Sequence, residues 1–146
     1  MRRLVTLFSA AALLAGSLSA GEKKMMHCFA FTVIDTATPA EWEAFERATD
    51  ALPDKIPGIG KVWHGKLRGP LAVFNPDTET RKKIKPETTE VEGKFTRLRR
   101  QHGVCMEMSG EGTLKSYADH PYHKEWMDAY AKVRVAGTTT FDILGK

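Results

Sequence analysis

The order of its apolar patterns constrains this chain most: strand, helix and strand signals are written twice, with a long basic stretch between them. Residues 25–34 carry β-formers (Phe29, Phe31, Thr32, Val33) without a helical gap, and predict a first strand. Alternation sets His27, Phe29, Phe31 and Val33 on one face, and Cys28, Ala30 and Thr32 on the other. Thr38-Pro39-Ala40-Glu41 then starts a helix, with Thr38 as cap, Pro39 in the first position and Glu41 placed for a capping box. Trp42, Phe45, Ala48, Thr49 and Leu52 recur at helical spacing before Pro53 stops them. Pro57-Gly58 turns the chain into a second strand over 59–67, containing Val62 and Trp63.

The second unit repeats the scheme. Residues 102–108 predict a strand with Val104, Met106 and Met108 on one face and Cys105 on the other. A helix follows over 113–119, carrying Leu114, Tyr117 and Ala118. Pro121 breaks it and begins another, in which His123, Trp126, Met127 and Tyr130 share a face. Residues 133–144 close the chain as a strand, with Thr139, Phe141 and Ile143 alternating.

The order β-α-β, loop, β-α-β places the chain in the α+β class. It predicts a ferredoxin-like fold, a four-stranded antiparallel sheet with its helices on one face. The opposite face would carry Cys28, Ala30, Trp63 and Cys105. A sheet face of that apolarity requires cover, and two-fold pairing with a second copy supplies it. A homodimer is therefore expected. Between the units, residues 66–100 hold ten Lys or Arg against five Asp or Glu, three prolines and no sustained apolar period. This reads as an exposed basic loop insertion over about 67–100, with a short strand around 71–74.

A secretory signal peptide is expected over residues 1–20. Arg2 and Arg3 precede an apolar run from Leu4 to Leu18, and Ser19-Ala20 offers a cleavage site. The domain then occupies 25–146 outside the cytoplasm, in the periplasm or beyond the cell. Ser17 stands where a lipoprotein would need its lipid-bearing cysteine, and the run is too short for a typical membrane span. Without the two leader arginines, 20 basic residues face 18 acidic ones, which gives little reason to expect a nucleic-acid partner. In an oxidising compartment Cys28 and Cys105 can pair, but their spacing alone does not decide it.

Four side chains carry candidate chemistry. Tyr117 and His120 lie three apart on one helix and can share a face. His123 falls in the first turn of the next helix, whose terminus favours the neutral imidazole that a general base needs. His27 faces the helices if the strand alternation holds. Together they suit enolate or aldol-type proton transfer, although histidines at such a corner often only satisfy backbone groups. A metal site from the three histidines and Asp119 is conceivable, but nothing in the spacing requires it, and neither a metal nor a cofactor is expected. Phe29, Phe31, Trp42, Phe45, Val62, Met106 and Trp126 are the candidate lining of a pocket for a small apolar ligand.

Three stretches resemble the stress-responsive dimeric α/β-barrel (Dabb) domain family: Met26-His27-Cys28-Phe29-Ala30-Phe31, Trp63-His64-Gly65-Lys66, and Ser116-Tyr117-Ala118-Asp119-His120-Pro121-Tyr122-His123. The resemblance implies a homodimer whose sheets pack face to face, with a small pocket between each sheet and its helices. Most members have no established chemistry. In a plant polyketide cyclase branch, residues at the positions of Tyr117 and His123 perform acid–base work without a cofactor. The leader and the basic insertion depart from the family pattern. The expectation is thus an exported, stress-related homodimer that binds a small apolar molecule; the alternative is a cofactor-free acid–base enzyme.

Overall fold

The computed structural model describes residues 23–145, so the expected leader lies outside the described residues. Strand β1 (Met25–Val33) pairs on one side with β3 (Phe95–Met108) and on the other with β4 (Arg134–Leu144). Strand β2 (Ile59–Pro76) closes the outer edge of β3. The order is β2-β3-β1-β4 with every pair antiparallel. Helices α1 (Pro39–Asp50), α2 (Leu52–Lys55), α4 (Glu111–Asp119) and α5 (Pro121–Val133) accompany the sheet, and the short α3 (Thr78–Lys83) lies between β2 and β3. This is the ferredoxin-like α+β fold that the strand and helix order predicts.

The first helix starts as its sequence requires. The Thr38 hydroxyl accepts from the Glu41 amide at 3.3 Å, and the Glu41 carboxylate accepts from the Thr38 amide at 2.8 Å. A cap of this kind is worth about 1 kcal/mol. Phe45 and Thr49 then face the sheet, where Phe45 meets Phe31 edge-on and stacks on Tyr130. Full burial of Phe31 or Phe45 stabilises the fold by about 1.5–3 kcal/mol each. Thr49 is the polar exception. Its Oγ1 accepts from Trp126 Nε1 at 2.9 Å and donates to the Phe45 carbonyl at 2.7 Å, so no polar group of this trio is left unpaired.

The basic stretch is a structured arm, which corrects the expectation of a loop. β2 continues to Pro76 and β3 begins at Phe95, so the two ends of the segment pair as a two-stranded ribbon, with partners from Leu71↔Arg100 to Pro76↔Phe95, and the short strand expected around 71–74 is part of it. Asp77 caps α3 by accepting from the Thr80 amide at 2.8 Å. Gly93 packs so closely on Thr80 that an added Cβ would lie 2.0 Å from the threonine Oγ1. The register shifts between Lys66 and Leu71, around Gly69-Pro70, where an edge strand tolerates a missing donor. No apolar alternation announces this ribbon because both of its faces are largely exposed, and backbone pairing leaves no mark on side-chain polarity.

On the sheet face away from the helices, Cys28 and Cys105 stand directly opposite each other and form a disulfide. Closing a chain separation of 77 residues removes about 4 kcal/mol of entropy from the unfolded state. Cys28 and Ala30 form the buried floor of a hollow of about 480 Å³, with Trp63, Leu67, Leu71 and Phe141 around it. Trp63 is 51% exposed, Phe141 49% and Ile143 57%. The opposite face holds Phe29, Phe31, Val104, Met106 and Met108 in the core against the helices. Among the described residues, no helix is long and apolar enough to cross a membrane.

Candidate functional site

The break between α4 and α5 builds the site. His120 is extended there and ends one helix while capping the next. Its Nδ1 accepts from the Tyr122 amide at 3.2 Å, so this histidine is occupied in holding the corner. Pro121 needs no amide partner in the first helical position. Two residues on, the backbone of His123 donates to the His120 carbonyl, and its ring turns back across the corner.

That ring is fixed by one contact. Nδ1 of His123 lies 3.2 Å from the carbonyl of Ala118, and because a carbonyl only accepts, Nδ1 must carry the proton. Nε2 keeps its lone pair. Burial is the main force holding this imidazole below the ordinary histidine range, and nearby His27 adds to it; the Ala118 bond opposes both. The ring sits 4.3 Å from that of Tyr117 and stacks on Trp126. Tyr117, in the last turn of α4, is buried. Burial, with a smaller contribution from Tyr130, pushes its phenol well above the ordinary tyrosine range, so it stays protonated at neutral pH. Its hydroxyl makes no hydrogen bond among the described residues.

His27 reaches the same space from β1. Its ring centroid is 6.0 Å from that of Tyr117, and its Nδ1 lies 2.6 Å from Oδ1 of Asp142, its register partner on β4. The carboxylate accepts from Nδ1–H, which leaves Nε2 as the second basic ring nitrogen of the cluster. His27, Tyr117 and His123 line a cleft of about 170 Å³ that is walled by Phe29, Trp126 and Met127. That is room for roughly six waters, or for a compact group of a few carbon and oxygen atoms.

Of the candidate residues, the fold thus gathers His27, Tyr117 and His123 into one cleft and leaves His120 at the helix corner. Of the candidate lining, Phe29 and Trp126 face this space. Phe31, Trp42, Phe45, Val62 and Met106 do not. The rings of Phe31, Trp42 and Phe45 close on one another, with His102 beside Trp42 at 4.6 Å, while Met106 is buried in the core and Val62, its partner on β2, packs against that core. Asp142, Arg134 and Tyr130 belong to the site and were not among the candidates. For Asp142 a signal existed: it alternates with Phe141 and Ile143, so it shares a sheet face with His27. Among the described residues, no group of three or more His, Cys, Asp or Glu is placed to hold a metal ion.

No protein-family model and no curated protein sequence matches the chain. Solved structures do match its fold. A dimeric ferredoxin-like protein of unknown function from Thermobifida fusca is 20% identical, with a TM-score of 0.55 over 84% of this chain and 92% of its own. A Dabb family protein with a ferredoxin-like fold from Mesorhizobium loti is 15% identical, with a TM-score of 0.53 over 86% and 99%. A hydroxynitrile lyase from Passiflora edulis is 8% identical, with a TM-score of 0.57 over 85% and 94%. In architecture the chain is similar to ferredoxin-like proteins, among them one described as dimeric and one from the Dabb family.

Proposed function

We propose that this chain is an exported, Dabb-like homodimer that binds a small, largely apolar molecule in the cleft between its sheet and helices α4 and α5. The observation that carries this reading is the convergence of Tyr117, His123 and His27 on a cleft whose other walls are mostly aromatic or thioether. The half-exposed Trp63 and Phe141 beside the open-face hollow support the second copy, because apolar surface of that kind favours cover. A thermal-shift screen of small ligands, run beside Tyr117→Phe and His123→Ala, tests the cleft. The expected result is a hit for wild type that either variant weakens. Hits that ignore both substitutions would refute the site. Sedimentation at micromolar concentration is expected to give a dimer, and Trp63→Asp a monomer; a monomeric wild type would remove the pairing.

A second reading makes the same cleft catalytic, and the tautomer of His123 favours it. With Nδ1–H held by Ala118, Nε2 can accept a proton from a carbon next to a carbonyl. The protonated Tyr117 can donate to the oxygen on which negative charge develops. This is cofactor-free enolate or aldol-type chemistry of a cyclase or lyase. It predicts exchange of an acidic C–H proton in a bound ketone, slowed at least about a hundredfold in His123→Ala. Exchange at the wild-type rate in that variant would end it.

A further inference from the structure

We infer that the molecule held in this cleft carries a carboxylate, and that Arg134 is the residue that binds it. The inference rests on the cleft being a ligand site and goes on to name the ligand's class. Arg134 opens β4 where the chain leaves α5, and it lines the same cleft as Tyr117, His123 and His27. Its guanidinium lies over the Tyr130 ring, 4.4 Å from the centroid, a cation–π contact that holds the side chain in place. Among the described residues, Nε is buried without a hydrogen-bond partner. No ion pair or hydrogen bond among them engages the rest of the fork, and the Nη atoms are not among the buried unpaired ones.

A buried donor left unpaired costs about 1–3 kcal/mol, so an arginine placed this way calls for an acceptor from outside. The guanidinium geometry matches a carboxylate through two parallel hydrogen bonds. Two groups of the cleft are then placed to donate to a carboxylate, the Arg134 guanidinium and the protonated phenol of Tyr117, and the hydroxyl-bearing Thr138 and Thr140 line the same space. Its apolar walls, Phe29, Trp126 and Met127, suit a compact apolar body. Asp142 does not compete, because its carboxylate is engaged with His27.

The test compares benzoate with benzamide, two probes of nearly the same shape, by calorimetry and by ring NMR of His123 and Tyr117. Wild type is expected to bind benzoate and shift both rings, with benzamide at least about tenfold weaker. Arg134→Gln should erase that preference and Arg134→Lys should restore part of it. The wild-type comparison stands by itself if a variant is unstable. Equal binding of the two probes at the cleft would overturn the carboxylate while leaving the pocket intact. Failure of every small ligand to move the two rings would overturn both. Benzoate binding that survives Arg134→Gln in a folded protein would also reject Arg134 as the binding group.

Discussion

His27 and Asp142 stand opposite each other on neighbouring strands, and their side chains meet at 2.6 Å. A strand pair thereby sets the tautomer of a ring that faces the cleft. Nitrogen NMR of the His27 ring should show Nδ1 protonated when the imidazole is neutral. Asp142→Leu should release that preference toward the Nε2–H form and cost about 1 kcal/mol of stability. An unchanged ring spectrum in the variant would show that the pairing does not govern the tautomer.

Stability should fall as the solution becomes mildly acidic. Burial is the largest cause holding both His102 and His123 below the usual histidine range. In the unfolded chain each returns to about 6.5, so below that pH the unfolded state binds protons that the folded state resists. This part of the stability is full above about pH 7 and is lost as pH drops through each folded-state value. Glu41 and Glu107 are lowered as well, by Thr38 and Lys24 respectively, and their share is lost only at more acidic pH. The melting temperature is expected to decline from pH 7.5 to 5.5, and less steeply in a His102→Asn, His123→Asn double variant. Identical slopes would contradict this account.

Thr49 is worth more than its size suggests. Thr49→Val keeps the shape but deprives the buried Trp126 indole of its acceptor. The expected loss is about 1–3 kcal/mol in urea denaturation. Thr49→Ser keeps the hydroxyl and should lose less; equal losses would mean that packing, not the hydrogen bond, is responsible.

His120 should behave as a cap. His120→Ala is expected to cost about 1 kcal/mol by removing the acceptor for the Tyr122 amide, and His120→Asn should recover most of it. Ligand binding should survive both substitutions in the folded protein. Abolished binding in a stable His120→Asn variant would assign this residue a role inside the cleft.

How much of this was legible depended on what each residue type had to do. Element order, and with it the fold, followed from buried faces: Phe45, Leu52, Trp126 and Tyr130 mark themselves by spacing because each must reach the core. Proline and capping chemistry placed α1 and the α4–α5 break within two residues. Of the arm's ribbon only the strand around 71–74 was legible, because its faces are largely exposed. The site was half readable. Tyr117 and His123 fall in one short stretch, whereas Asp142 and Arg134 join them only through the pairing of β1 with β4 and the course of the chain after α5. Pocket lining was least legible, because Phe29 and Phe31 have the same sequence signature and only the packing around each decides which one borders a space.

The bond between Cys28 and Cys105 brackets α1, β2 and the whole arm within one covalent ring. A protease that cuts anywhere between Thr78 and Lys94 therefore opens the ring without parting the molecule, and both pieces migrate together until a reductant is added. The arm can thus be clipped at its exposed tip while the sheet beneath it keeps its strands.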